Sequence, residues 1–178
     1  MLLSISMAGP TDYRAEERLR DGTNVTIRAI RANDKAAVLK AFAALDPESI
    51  YSRFHHRKRE LTADDLRRLT EVDPVRDVAL VVTIGAADAE LFIGGGRYMA
   101  GGASAEVAFT IEEDFQRRGL AGMLLRHLVQ IARANGIERF EAYVLKENAA
   151  MLRVFRSSGV PVTTELEDGV WRVTLQLA

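Results

Sequence analysis

Residues 114–128, DFQRRGLAGMLLRHL, change from polar to apolar at Gly119. From that glycine onward leucines and alanines recur with helical spacing, which predicts a helix over residues 119–134. The first turn of a helix leaves backbone N–H groups unpaired and carries partial positive charge, so it is a favourable place for an anion. Gly119 permits close approach to the backbone, and Arg117 and Arg118 offer charge-assisted contacts to phosphate oxygens. We interpret this junction as a pyrophosphate site, although a glycine that merely begins a surface helix beside two solvated arginines fits the residues equally well.

The composition limits the classes of protein to which the chain can belong. Its 178 residues suit one domain with a sizeable core, and 48% of them are hydrophobic. The 24 lysines and arginines almost balance the 25 aspartates and glutamates, so the charge gives no argument for nucleic acid or a membrane surface. Because there is no cysteine, disulfides, thiolate metal ligands and a cysteine nucleophile are excluded. Residues 1–10 lack a basic leader and no apolar run reaches membrane length, so we expect a soluble, cytoplasmic protein.

The chain is expected to consist of an N-terminal arm and one domain. We assign residues 1–22 to the arm and residues 23–178 to the domain. The charged segment 11–22 has only weak periodicity, which indicates an exposed arm or a short helix. Residues 24–30 then alternate between apolar and polar side chains, the pattern of a half-buried strand.

Helices are predicted on both sides of a basic stretch in the first half of the chain. Residues 33–45 have helical spacing, with Asn33 as a candidate N-cap. A short helix is expected at 48–54. The next helix begins with Thr62 and Asp65 at the spacing of a capping box, with aspartate in place of the usual glutamate or glutamine.

The second half of the chain predicts a mixed sheet. Three apolar or alternating runs at 77–84, 91–99 and 105–111 are separated by short segments of small residues, which indicates an antiparallel meander. A strand at 139–145 follows the helix at 119–134, and together with the last strand of the meander they make a right-handed parallel β-α-β unit. A helix ending at Gly159 and a hairpin around Asp168-Gly169 close the chain. The fold class is therefore α/β (α+β), with a mostly antiparallel mixed sheet and helices on both faces.

The segment from Gln116 to Ala121, after an alternating strand and at the start of a helix, resembles the [Q/R]-x-x-G-x-[G/A] signature of the GNAT family of N-acetyltransferases. The resemblance in element order covers about residues 24–177. It implies an acetyl-CoA-dependent N-acetyltransferase whose loop amides hold the pyrophosphate of the cofactor. The residues implied at the cofactor are Phe109, Thr110 and Ile111 along the pantetheine, Gln116, Arg117, Arg118, Gly119, Leu120, Ala121 and Gly122 at the pyrophosphate, and Asn148 and Phe155 beside it. A simple N-cap explains Asn148 equally well.

Glu106 is the candidate general base. An attacking amine must first lose a proton, since the unperturbed pKa of a lysine is about 10.4. Strand periodicity places Glu106 on the same face as Ala108 and Thr110, small residues that leave room for a substrate. A solvated glutamate without a catalytic role would show the same pattern. The strand AEVAFTI and residues 49–73 also resemble the acetyltransferase domain of bacterial protein lysine acetyltransferases, which implies Glu106 as base and a protein lysine as acceptor.

The sequence departs from the family pattern at Phe155. Many members have a tyrosine there as general acid, and phenylalanine cannot donate a proton. Either the thiolate leaves unprotonated or is protonated by water, or another group protonates it, or the protein is a weak catalyst. Phe155 therefore keeps open a non-catalytic acyl-CoA-binding regulatory module. Independently of Phe155, acetylation of a small amine such as a polyamine or amino acid stays open as the alternative reaction.

Several further features give weaker indications. The basic stretch 53–59 suits a solvated loop, a rim that recognises an acidic protein surface, or a contact to the 3′-phosphate of CoA, and the balanced total charge argues against nucleic acid as a further alternative. His127 lies on the predicted central helix, and no histidine-carboxylate cluster has the spacing of metal ligands, so we expect no metal. A homodimer formed through the final hairpin is compatible with the sequence.

Overall fold

The computed structural model describes residues 10–45, 60–86 and 89–178, which are organised around one eight-stranded sheet. The strands are β1 Arg14–Arg18, β2 Asn24–Ala29, β3 Asp77–Ile84, β4 Leu91–Gly101, β5 Ser104–Ile111, β6 Arg139–Leu145, β7 Val162–Glu167 and β8 Val170–Gln176. Their order across the sheet is β1-β2-β3-β4-β5-β6-β8-β7. Only β5 and β6 are parallel, and every other neighbouring pair in this part of the chain is antiparallel.

Helices cover both faces of the sheet. The helices of the described ranges are α1 Lys35–Ala43, α2 Ala63–Thr70, α3 Leu120–Ala134 and α4 Ala149–Arg156. Helix α3 packs on one face, where a Cβ at Gly96 would lie 3.0 Å from Leu128 of that helix. On the opposite face, Phe42 of α1 and Leu69 of α2 line a groove together with Thr110 of β5. The predicted fold class is confirmed.

The prediction for residues 11–22 was wrong, because this segment contains a strand rather than an exposed arm or a helix. Strand β1 is antiparallel to β2, with Ala15 opposite Ile27. Tyr13, Ala15 and Leu19 are buried, whereas the charged side chains of Arg14, Glu16 and Arg18 are exposed. Because an edge strand can have many charged side chains on its exposed side, its sequence resembles a polar segment, and the alternation of buried and exposed residues was not recognised. Strand β1 shares its sheet with the proposed domain, and the boundary after residue 22 stays a prediction.

The start of α1 also differs from the prediction. Asn33 lies inside a short 3-10 turn, Ala32–Asp34, and the N-cap position of α1 is Asp34. The Asp34 carboxylate instead accepts a hydrogen bond from the backbone N–H of Arg31 at 2.7 Å. The helix predicted at 48–54 and the basic stretch 53–59 lie outside the described residues.

Other local predictions are confirmed. Thr62 and Asp65 form the capping box of α2, in which the Asp65 N–H donates to the Thr62 hydroxyl at 3.2 Å. The strands β3, β4 and β5 form the antiparallel meander. The last hairpin turns at Asp168 and Gly169, both with positive φ, as a two-residue turn of type I′ requires.

Candidate active site

The parallel strands β5 and β6 pair over a short distance and then separate. Their register covers only Ser104, Ala105 and Glu106 of β5, opposite Arg139, Phe140 and Glu141 of β6. Strand β5 continues to Ile111 in pairing with β4 alone. The backbone groups of residues 107–111 that point toward β6 therefore have no strand partner there, and an extended ligand can pair with them as a further strand does.

The loop between β5 and α3 presents a set of free backbone donors. The first hydrogen bond of α3 runs from the N–H of Met123 to the carbonyl of Gly119 at 3.1 Å. Within the described ranges, the N–H groups of residues 117–122 have no acceptor. Arg117 and Gly119 have positive φ values of 61° and 92°, and such a backbone conformation at a non-glycine residue is typical of functional loops. Converging amides at a helix N-terminus form a binding place for a phosphate group.

The two loop arginines lie in different surroundings. Arg118 makes an ion pair with Asp21 at 2.8 Å, and its guanidinium lies over the Phe115 ring at 4.9 Å from the centroid. Arg117 is exposed. Gln116 is also exposed, and its side-chain amide donates to the carbonyl of Ile111 at 3.3 Å, which ties the start of the loop back to β5. Leu120 is buried in the core, while Ala121 and Gly122 are partly exposed at the first turn of α3.

The candidate pantetheine residues divide between the two faces of β5. Phe109 and Ile111 point toward α3 and α4, and Phe109 meets Phe155 of α4 edge-on with ring centroids 6.0 Å apart. Thr110 points to the opposite face. Phe155 is only 1% exposed, so it is part of the core beneath this region. The side-chain oxygen of Asn148 accepts from the N–H of Met151 at 3.0 Å, which is the N-cap role that the sequence left open.

Glu106 lies on an exposed part of the sheet, at the last register position before β5 and β6 separate. Its neighbours across the sheet are Met99 and Glu141. Glu141 is engaged by Arg172 at 3.1 Å and by Arg139 at 3.6 Å. The Glu106 carboxylate, in contrast, has no hydrogen bond or ion pair with any described residue. It is thus free to act on a ligand at the opening between the strands.

An open groove lies between the sheet and helices α1 and α2. Ala108, Thr110 and Glu112 of the β5 segment contribute to its wall, and most of the other lining side chains are apolar. Burial and the nearby Asp114 raise the pKa of Glu112 above its ordinary value. Arg97 also lines the groove, and its guanidinium donates two hydrogen bonds to the Asp77 carboxylate, which balances its charge.

His127 has a structural environment rather than that of a ligand. It is 4% exposed, with Tyr13 at its Nδ1 and Glu17 at its Nε2, the latter at 2.9 Å. Burial lowers the pKa of His127, and the hydrogen bond with Glu17 opposes that shift. Among the described residues, no group of three or more histidine, cysteine, aspartate and glutamate side chains could hold a metal ion.

Comparison with known proteins identifies the family. The sequence model described as "Acetyltransferase (GNAT) domain" matches residues 24–160. The chain belongs to the GNAT acetyltransferases. An acetyltransferase from Pseudomonas aeruginosa is 33% identical over 138 residues, which cover 76% of this chain and 74% of that protein. The acetyltransferase Pat of Mycolicibacterium smegmatis is 32% identical over 145 residues, or 80% of this chain, which spans only 43% of Pat.

A solved structure supports the same assignment. The crystal structure of the GNAT domain of S. lividans PAT is 36% identical and superposes with a TM-score of 0.83, covering 92% of this chain and 96% of that chain. The GNAT protein described here is accordingly an acetyl-CoA-dependent N-acetyltransferase, with acetyl-CoA and an amine acceptor as its substrates. In the described part of the chain, no helix is long and apolar enough to cross a membrane.

The sequence did not indicate two residues that the fold brings to the loop between β5 and α3. Asp21 pairs with Arg118, and the Nε of Arg20 would lie 3.3 Å from a Cβ placed on Gly119. Both belong to the turn between β1 and β2. No local pattern could have shown this, because the contact joins segments far apart in the chain and the strand that carries the turn was not predicted.

Proposed function

We propose that this GNAT enzyme acetylates a lysine side chain of a protein, by direct attack of the amine on acetyl-CoA with Glu106 as general base. The observation that carries the proposal is the position of Glu106. It is the last paired residue of β5 before the strand separates from β6, so its carboxylate lies at the inner end of the opening. A thioester lying along the unpaired part of β5 would have its reactive carbon near that point.

The proposed path of acetyl-CoA runs along β5 from residues 117–122, which we name the phosphate loop. Supporting the loop assignment, the N–H groups of residues 117–122 are unpaired within the described structure and suit a diphosphate. Phe109, Thr110 and Ile111 follow as the residues beside the pantetheine. Asn148 and Phe155 bound the other side of the opening, the first as the cap of α4 and the second as a ring packed on Phe109.

The proposed chemistry needs one proton acceptor and one oxyanion donor. Glu106 accepts the proton of the amine, directly or through a water, because it is free of partners in the described chain and exposed to the acceptor side. A backbone N–H of β5 near Phe109 or Ile111 donates to the developing oxyanion. Phe155 has no proton to donate, so the thiolate leaves unprotonated or takes its proton from water.

The shape of the surface around Glu106 favours a large acceptor. Met99 is 47% exposed and Tyr143 is 46% exposed, and both share the open face of the sheet with Glu106. Small ligands are usually enclosed in a pocket, whereas a lysine on a protein surface needs an accessible carboxylate. The resemblance of the β5 strand to that of bacterial protein lysine acetyltransferases supports the same acceptor.

The experiment is a steady-state assay of thiol release from acetyl-CoA, with lysine-containing protein or peptide pools and, separately, polyamines and free amino acids. Glu106→Gln should lower kcat/KM by about 10²- to 10³-fold, as expected for loss of a general base. The same variant should bind CoA as tightly as the parent protein. Glu141→Gln removes a carboxylate from the neighbouring strand position and serves as the matched control, with little loss of rate expected.

Two results would contradict parts of the proposal. Equal rates in the Glu106→Gln and Glu141→Gln variants would remove Glu106 from the mechanism. Turnover with polyamines or amino acids, but with none of the protein pools, would replace the protein lysine by a small amine while leaving the base assignment intact. Mass spectrometry of the acetylated product identifies the acceptor nitrogen in either case.

A further inference from the structure

The turn between β1 and β2 lies against the start of α3. Asp21, in this turn, pairs with Arg118 at 2.8 Å, and Arg20 approaches the backbone at Gly119. The turn precedes residue 24, where the match to the GNAT family begins. The turn therefore lies outside the segment that the family model matches.

The turn is held in a defined conformation by its own hydrogen bonds. The N–H of Leu19 donates to the carbonyl of Thr23 at 2.8 Å, and the N–H of Gly22 donates to the carbonyl of Leu19 at 3.0 Å. The carboxylate of Asp21 accepts from the N–H of Thr23 at 2.9 Å, while Leu19 is buried with 3% exposure. The backbone at Arg20 is thus fixed beside α3, and only its side chain is free to adjust.

Arg20 adds positive charge to a loop whose neighbouring residues include several carboxylates. Three carboxylates, at residues 112–114, precede the loop and repel an anionic ligand. Arg117 and Arg118 oppose them, but Arg118 is already shared with Asp21. Arg20 has no carboxylate partner among the described residues, so its full charge is available. A guanidinium binds phosphate oxygens in a two-point geometry, and this one lies within reach of the unpaired loop amides.

We propose that Arg20 binds the diphosphate of acetyl-CoA together with the amides of residues 117–122, and that the Asp21–Arg118 ion pair positions the turn for this contact. This inference rests on the proposed function, in that it takes the diphosphate to lie at that loop. It adds a cofactor-binding residue from the first hairpin of the fold.

Isothermal titration of the full chain with CoA tests the proposal without using activity. Arg20→Ala should weaken binding by about 10-fold, the loss typical of one charge-assisted hydrogen bond. Arg20→Lys should recover part of the affinity, because it keeps the charge but loses the two-point geometry. Arg14→Ala removes the same charge from the other end of β1 and should leave the affinity unchanged. The loss in Arg20→Ala should also shrink at high salt, where screening weakens the contact.

A second titration with 3′-dephospho-CoA determines which phosphate of CoA Arg20 binds. An equal loss for Arg20→Ala with both ligands supports the diphosphate, and a loss that vanishes with 3′-dephospho-CoA overturns that assignment. Equal affinities of the Arg20→Ala and Arg14→Ala variants, in a parent protein that binds CoA, would overturn the role of Arg20 alone. A parent protein that gives no heat with CoA would overturn the loop assignment itself. Circular dichroism of Arg20→Ala and of Arg20→Lys checks that each variant is folded.

Discussion

Replacement of Arg28 by methionine should destabilise the protein strongly, because it leaves the buried Asp34 and the partly buried Glu90 without their cation. Arg28 is 2% exposed and makes a two-point contact with Asp34, at 2.9 and 3.0 Å, and a further ion pair with Glu90 at 2.7 Å. Its guanidinium also lies 5.4 Å from the centroid of the Phe92 ring. Burial opposes the charged form of Arg28, but its two carboxylate partners outweigh that effect and raise its pKa.

The size of the effect follows from the burial of the partners. Removing one member of a buried ion pair costs about 3–5 kcal/mol of unfolding free energy. The side chains of Asp34 and Glu90 are 10% and 15% exposed and keep some hydration, so we expect a loss near the lower end, about 3 kcal/mol. For a chain of this length, that corresponds to a fall in Tm of about 6–12 °C. Urea denaturation at pH 7.5 measures the free energy directly.

The pH dependence provides a second test of the same argument. The hydrogen bond with Arg28 lowers the pKa of Glu90 in the folded protein. The ion pair therefore contributes fully to the free energy of unfolding above about pH 4.3, the ordinary pKa of a glutamate, and this contribution is lost as the pH falls through the lowered pKa. In Arg28→Met, Glu90 loses the hydrogen bond that lowers its pKa and keeps its partial burial, which favours the protonated form, so protonation of Glu90 relieves part of the destabilisation. The deficit relative to the parent protein should therefore shrink between pH 7.5 and pH 5.

Two control variants make the interpretation specific. Arg14→Met breaks an ion pair with Glu16 whose side chains are half exposed, and should cost less than about 1 kcal/mol. Adding Asp34→Asn and Glu90→Gln to Arg28→Met removes the unpaired charges and should restore a large part of the lost stability. A deficit below about 1 kcal/mol in Arg28→Met, or one that does not depend on pH, would refute the reasoning.

Two further predictions concern the core. Phe155→Ala should cost about 3–5 kcal/mol of unfolding free energy, because a buried ring that packs on Phe109 is replaced by a cavity. Urea denaturation measures this loss, and a change under about 1 kcal/mol would contradict a packed contact between the two rings. Burial lowers the pKa of His127 in the folded state, against the opposing effect of Glu17, so stability should fall as the pH drops through about 6.5, where the unfolded histidine gains a proton. His127→Gln, which can still bond to Tyr13 and Glu17, should flatten the dependence of Tm on pH between 7.5 and 5.5, and identical slopes in both proteins would contradict this role.

The parts of the fold that the sequence predicted are those in which the signal is local. The capping box of Thr62 and Asp65, the turn at Asp168-Gly169 and the glycine before α3 each depend on residues within a few positions of one another. Backbone preferences and hydrogen bonds of near neighbours determine such features, so a sequence pattern is sufficient to find them.

The features that the sequence did not predict depend on contacts between distant segments. Four of the five residues 14–18 are charged, and only pairing with β2 shows that Ala15 among them is buried. Strand β2 was expected to be half-buried, yet Thr26 and Arg28 are buried as well. Charged side chains are normally exposed, so a buried arginine is found only once its partners Asp34 and Glu90 are known.

The candidate site divides in the same way. The loop at Gly119 and the strand position of Glu106 follow from motif and period, and their roles remain proposals. The length of the parallel pairing between β5 and β6 is a property of the sheet as a whole, and no residue in either strand marks the point where they part. The approach of Arg20 to the loop likewise depends on the position of the first hairpin.

The parallel pairing between β5 and β6 is a short seam, and this affects the stability of the protein against unfolding. In the described part of the chain, the sheet's first five strands are joined to its last three by three paired positions of β5 and β6, together with main-chain hydrogen bonds from Glu138 and Arg139 to the carbonyl of Ala103. An acyl-CoA molecule inserted beyond the seam would take the place of the missing strand pairing and bind the two sections to each other. Since a ligand that binds only the native state stabilises it in proportion to the logarithm of its concentration, the enzyme's resistance to unfolding would then track the supply of its own acyl donor.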